Sequence, residues 1–274
     1  MEIIGHQKQW NFLKRISETN KLAHAYLFTG EEKIGKKKVA LEWASLLCEP
    51  SPKHHPDLIL IEPINKIIQI SQIRELIWKL SLKFYSAPFK IAIIDNAHLM
   101  NQEAQNALLK ILEEPKGKTL LILITEFPEV LYPTILSRVQ KIKFYPVKKK
   151  EIKEYLIKKG LKEEEAEEMS EFSYSKPGLA IDFLSDSEKL KNQKKIIKEL
   201  IILIKSNLSF RFQYAKELSE KENIKEVLDI WLRYFRKELL TRTNLIKQIQ
   251  NMGFLISTTN VNIRLALETL MLEF

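Results

Sequence analysis

The sequence predicts a chain that begins as an α/β domain with a mostly parallel sheet and ends as helices alone. Three observations carry that prediction. Short apolar runs of the kind that bury both faces of a strand alternate with helical patterns between residues 25 and 144, which is how a sheet covered by crossover helices reads in sequence. A glycine-bounded loop, 30–35, joins the first of those runs to the helix after it. Beyond Pro146 no further strand pattern is found.

A partial apolar stripe (Ile3, Ile4, Trp10, Phe12, Leu13, Ile16) predicts a helix within 2–17. The run 25–29 is the first strand, and Val39, Ala40, Trp43, Ala44 and Leu47 mark the helix beyond the loop. Three prolines between Cys48 and Asp57 break that helix. A second strand follows at 58–61, then a helix at 70–82 on Ile73, Leu76, Ile77 and Leu80. The third strand, 91–94, ends on Asp95. A polar turn leads into a helix over 102–115, and a fourth strand covers 120–125. The run 141–144 closes the sheet. Helices are then expected at 151–159, 162–172 and 177–184, and longer ones at 188–205, 210–219, 224–241 and 262–272. The helix at 224–241 has a broad apolar face of Val227, Leu228, Trp231, Leu232, Phe235 and Leu239. Domain boundaries are therefore placed as 1–147, 148–187 and 188–274.

A chain of 274 residues is long for one core. Its 45% hydrophobic and 29% charged residues exclude a disordered chain. Its apolar runs are too short to cross a membrane, and Met1 to His6 lack the sections of a signal peptide. The single cysteine, Cys48, excludes an internal disulfide and points to the cytoplasm. The net charge of +9 favours an acidic partner such as nucleic acid, nucleotide or an acidic protein surface.

The loop Gly30-Glu31-Glu32-Lys33-Ile34-Gly35-Lys36-Lys37 matches the phosphate-binding pattern G-x-x-x-x-G-K-[S/T] except at its last position. That last residue supplies a hydroxyl to magnesium. Lys37 offers a cation where a ligand is needed, so the loop is expected to act as a connector, with phosphate binding left open and Mg-dependent hydrolysis lost. Lys36, Lys37 and Lys38 are read as a solvated basic face. Asp95 ends its strand where a carboxylate would hold magnesium. Asn96 stands where a glutamate would polarise the attacking water, and an amide cannot act as a base. Thr125, at the end of the next strand, is placed to orient a γ-phosphate or to serve structure alone. Cys48, His54 and His55 fall short of the four ligands of a structural zinc site, so no metal is expected.

The segments that carry a resemblance are His24 to Phe28, His55-Pro56-Asp57, Ile94 to Met100, Gln105 to Pro115, Thr134 to Arg138 and Asn262 to Glu268. Together they resemble the clamp-loader branch of the AAA+ proteins, and within it the delta-prime subunit family of bacterial DNA polymerase III. The resemblance covers essentially the whole chain and is most specific in Asn106 to Pro115 and Ser137-Arg138. It implies an AAA+ α/β domain, a three-helix lid and an α-helical collar. It implies assembly with gamma/tau ATPase subunits and delta into a pentamer that loads the sliding clamp onto primed DNA. It also implies that Arg138, supported by Ser137, acts as an arginine finger on the ATP and magnesium of a neighbouring subunit, with no cofactor of its own here. Two departures stand out. The cysteines of the family's zinc module are reduced to Cys48, and Ile181 occupies the place of the lid arginine found in the ATP-hydrolysing paralogues. The expected protein is thus a polymerase holoenzyme subunit without intrinsic catalysis. The rival expectations are an ATP-hydrolysing clamp-loader subunit and a free-standing basic DNA-binding protein.

Overall fold

Five parallel strands organise the first half of the chain: β1 (Ala25–Thr29), β2 (Leu58–Ile61), β3 (Lys90–Ile94), β4 (Thr119–Thr125) and β5 (Gln140–Lys143), side by side in the order β2-β3-β4-β1-β5. They belong to a computed structural model that describes residues 3–19, 21–48, 55–83, 89–115, 117–221, 223–238, 243–258 and 261–274. The chain divides into two compact units, Met1–Ile181 and Asp182–Phe274.

The sheet sits between two helical layers because its central strands are apolar on both faces. Leu27, Ala92, Ile94, Leu121 and Leu123 face α3 (Ile70–Ser81) and α4 (Gln102–Glu113). Their neighbours of opposite parity, Tyr26, Phe28, Ile91, Ile93 and Ile122, face α1 (Gln7–Glu18) and α2 (Lys36–Leu47), as the two-residue side-chain period of a strand requires. Trp43 of α2 fills the second layer, edge-on to Tyr26 and stacked with Phe28. The edge strand β5 exposes Gln140, Lys141 and Lys143, and charge on an edge discourages pairing with another sheet.

Short α5 (Pro133–Leu136) connects β4 to β5, with proline at its first turn. Helices α6 (Lys149–Lys158), α7 (Glu163–Phe172) and α8 (Pro177–Ser185) follow. Ile152, Leu156, Ala166 and Ala180 pack with Ile4 and Val147 into a small core. Outside it, Glu167 bridges Lys149 at 2.6 Å and Lys153 at 2.9 Å. The start of α8 touches the phosphate-type loop directly: the Gly178 amide donates to the Lys33 carbonyl at 2.8 Å. A Cβ on Gly178 would lie 2.6 Å from that carbonyl oxygen, closer than atoms tolerate. Gly178→Ala is therefore expected to lower the unfolding free energy by about 1–3 kcal/mol, measured as a shift of the urea midpoint. An unchanged midpoint would mean that the loop and helix separate at no cost.

The second unit is all helical: α9 (Ser187–Lys205), α10 (Leu208–Ser219), α11 (Ile224–Glu238), α12 (Thr243–Thr258) and α13 (Ile263–Met271). Asp186, Asn207 and Asn262 cap α9, α10 and α13 with their side chains. Val227, Leu228, Trp231 and Phe235 of α11 are buried, as its apolar stripe predicts. Leu239 lies outside the described residues. The Arg211 guanidinium donates to the carbonyls of Leu203 and Ile204, which end α9.

Two α-helices among the described residues were not foreseen from sequence. One is α5, too short for a periodic signal. The other is α12, whose buried Leu245, Ile249 and Met252 are correctly spaced for a helix. Gly253 and the β-branched threonines at its ends weaken that signal. No helix among the described residues is long and apolar enough to cross a membrane.

Candidate functional site

The loop between β1 and α2 turns through residues at positive φ. Gly35 lies at φ 104° and Lys33 at φ 61°, so the turn uses left-handed conformations that glycine adopts without strain. It is strapped from outside at three points. His6 donates from Nε2 to the Ile34 carbonyl at 2.6 Å, Gly178 holds Lys33, and Lys176 pairs with Glu31 at 2.7 Å. A cavity of about 230 Å³ borders the loop, lined by Ile3, His6, Gly35, Tyr155, Pro177 and Ile181 among others. Burial holds His6 below the ordinary histidine pKa.

Of the three lysines expected to form a solvated face, Lys36 is buried, whereas Lys37 and Lys38 are paired but keep about a third of their side chains exposed. Lys36 is only 7% exposed, and its ammonium donates to the carbonyls of Gly30 and Glu31. Burial lowers its pKa to about 8, against the opposing pull of Glu126, Asp95 and Glu32. Lys37 reaches across the sheet end to Asp95 Oδ2 at 3.1 Å and to Glu62 Oε1. Burial alone would lower it, but the two carboxylates raise it above the ordinary lysine value. Lys38 pairs with Glu42 one turn along α2. The physical reason is local: the first turn of α2 abuts the carboxyl ends of β1 and β3, where backbone carbonyls and Asp95 collect negative charge.

The other oxygen of Asp95, Oδ1, accepts the Asn96 amide at 3.0 Å. Asn96 turns the chain at φ 53°, a conformation asparagine tolerates. Its side chain is an amide and provides no base. Thr125 is 1% exposed. Its hydroxyl accepts the Phe127 amide at 3.1 Å and lies 3.2 Å from His98 Nδ1, so it is committed to the turn after β4. With Lys37 in the hydroxyl position and Asp95 already paired, this donor set does not fit magnesium.

Arg138 is built into a separate place. Gln105, 3% exposed on α4, accepts the Tyr132 amide at 2.9 Å and donates to the Met100 and Val130 carbonyls. It thereby fixes the approach to α5. The α5 turn then presents Ser137 and Arg138, with Ser137 Oγ donating to the Thr134 carbonyl at 3.0 Å. The guanidinium uses Nη1 on the Thr134 carbonyl at 3.0 Å and on Ser137 Oγ at 3.3 Å, and Nη2 on Glu113 Oε1 at 3.0 Å. The Arg138 and Glu113 side chains are 36% and 52% exposed, so the ion pair is worth about 0–1 kcal/mol. Glu113→Gln is expected to shift the thermal midpoint by no more than about 4 °C, because so little free energy is at stake. A larger drop would show that Glu113 locks Arg138 into the fold.

Sequence reasoning did not single out Glu62, Glu113 or Gln105. Glu113 and Gln105 lay within quoted motifs, but their partners are remote in the chain. Cys48 and His55 are buried, and burial together with Asp57 raises the Cys48 thiol to about 11. His54 lies outside the described residues. Among the described residues no group of three His, Cys, Asp or Glu is placed to hold a metal.

Comparison with known proteins is consistent with this geometry. A family profile described as DNA polymerase III, delta subunit, matches residues 5–148. DNA polymerase III subunit delta' of Bacillus subtilis is 32% identical, across 81% of this chain and 73% of that protein. The subunit delta' of Pseudomonas aeruginosa is 38% identical across 42% of this chain and 41% of its own length. Among solved structures, a DNA polymerase III gamma subunit-related protein from Thermotoga maritima superposes with a TM-score of 0.53 at 19% identity, covering 95% of this chain and 97% of that one. The RuvB Holliday junction branch migration motor of the same organism gives 0.52 at 16% identity, covering 85% and 78%. At such identities the structural likeness establishes the AAA+ type of fold and nothing finer.

Proposed function

This chain belongs to the DNA polymerase III delta-subunit family, and we propose that it serves as a delta-prime-like subunit of a clamp loader, without ATP hydrolysis of its own. As a component of a replication complex it would assemble with gamma/tau-type ATPase subunits and a delta subunit. The pentamer would load the sliding clamp onto primed DNA in the cytoplasm. Residues 188–274 are its proposed collar. Residues 148–187 are the proposed lid.

The observation that carries this reading is the contrast between the two arginine and lysine sites. At the chain's own loop, Lys36 and Lys37 are both committed to internal partners. At the end of α5, the Arg138 guanidinium is oriented by Thr134 and Ser137 yet remains partly exposed. A cation aligned in this way and left accessible is suited to a phosphate on another molecule. The net charge of +9 supports proximity to DNA in the assembly.

The test is reconstitution. The isolated chain is expected to show no Mg-dependent ATP turnover. Added to the ATPase and delta subunits, it is expected to raise their hydrolysis and clamp loading through Arg138. Turnover by the isolated chain that survives Arg138→Ala would favour an ATP-hydrolysing subunit instead.

A further inference from the structure

The cation position beside Asp95 is filled from within the chain. We propose that the Lys37 ammonium is a tethered replacement for a divalent cation: it is seated between Asp95 and Glu62, keeps metal out of the site, and ties α2 to the ends of β2 and β3.

The placement follows from three elements. Lys37 is the second residue of α2, Asp95 follows β3, and Glu62 follows β2. The ammonium contacts one carboxylate oxygen of each acid, Asp95 Oδ2 at 3.1 Å and Glu62 Oε1. Glu62 is itself anchored, because its carbonyl accepts Gln72 Nε2 of α3 at 2.8 Å. The remaining Asp95 oxygen is taken by the Asn96 amide. A divalent cation needs several oxygen ligands at about 2.0–2.6 Å. Here one oxygen of each acid is spent on the ammonium, and a fixed positive charge stands where the metal would sit. At that separation like-charge repulsion opposes metal entry, and partial solvent exposure reduces but does not remove it. The Lys36 ammonium is held instead by the Gly30 and Glu31 carbonyls.

This inference is independent of what Arg138 does, and it predicts a gain of binding. Replacing Lys37 by serine removes the ammonium and restores a hydroxyl beside two carboxylates, an oxygen set suited to a hard cation. The experiment titrates Mn²⁺ into the purified full chain and follows free metal by electron paramagnetic resonance, with circular dichroism recording the fold of each variant. Wild type is expected to show no saturable Mn²⁺ site. Lys37→Ser is expected to bind one Mn²⁺ at least about tenfold more tightly than wild type, and Asp95→Asn in that background is expected to abolish the gain. The wild-type arm decides without any Lys37 variant: a saturable Mn²⁺ site that Asp95→Asn removes overturns the proposal. A folded Lys37→Ser protein that binds Mn²⁺ no better than wild type overturns it equally.

Discussion

Arg138→Ala is expected to abolish this subunit's contribution to ATP hydrolysis in the reconstituted complex while leaving assembly intact. Among the described residues the side chain reaches Thr134, Ser137 and Glu113, and the Glu113 pair is partly exposed, so its loss costs the isolated fold little. Its proposed work is done in the transition state, where charge spreads over the phosphoryl oxygens of a neighbour's ATP. Arginine fingers supplied in trans are worth about 10³–10⁵ in rate in the GTPase case. The loss should therefore reach about a hundredfold or more at the one ATP site served. Because the interaction is made chiefly in the transition state, turnover should fall with little change in KM. Arg138→Lys should not rescue, since an ammonium lacks the planar fork. Ser137→Ala should cost only a few-fold, because the Thr134 carbonyl still orients Nη1. Steady-state hydrolysis, clamp loading and gel filtration of the same preparations separate these outcomes. If the Arg138→Ala complex assembles and then hydrolyses ATP and loads clamps at the wild-type rate, the finger assignment is wrong.

The largest stability effect is expected at Trp43. Its side chain is fully buried, edge-on to Tyr26 with ring centroids 5.0 Å apart and stacked with Phe28 at 6.3 Å. Nε1 donates to Ser17 Oγ at 2.8 Å, and that hydroxyl in turn donates to the Leu13 carbonyl. Trp43 thus couples α1, α2 and β1 in one layer. Trp43→Ala removes the ring and leaves a cavity among aromatic neighbours that cannot collapse into it, at a cost of about 3–5 kcal/mol. Trp43→Phe keeps most of the volume and loses the hydrogen bond, at a cost of about 1–2 kcal/mol. Because the chain has two compact units, urea unfolding of the whole protein is expected to resolve two transitions. Only the one belonging to Met1–Ile181 should move. A shift of both transitions together would show that the units unfold as one.

Sequence legibility differed between elements for physical reasons. Strands β1 and β2 and the start of α4 could be read off because apolar runs and turn residues are local signals. Pairing was not legible. Lys37 meets Glu62 and Trp43 meets Ser17 across about 25 residues of chain, and nothing in residue spacing announces such a contact. Lys36-Lys37-Lys38 looked like a solvated face because charge runs usually are. The sheet instead delivers Asp95, Glu62 and the loop carbonyls to that spot, so Lys36 turns inward and Lys37 pairs across the sheet end. Thr125 left two roles open in sequence, and only the tertiary structure shows its hydroxyl accepting the Phe127 amide beside His98 Nδ1.

What the sequence by itself determined is the alternation of strands and helices, the helical pattern of the second half, and the presence of a lysine at position 37 and an amide at position 96. Those depend on residue chemistry and on periodicity along a few turns of chain. What only the tertiary structure decided is where each charge is spent: Lys36 on its own loop, Lys37 between two carboxylates, and Arg138 aligned by Thr134 and Ser137 against Glu113. Such pairings are set by how the sheet brings distant segments together, because a charge interacts with whatever lies within a few ångströms and not with its neighbours in sequence.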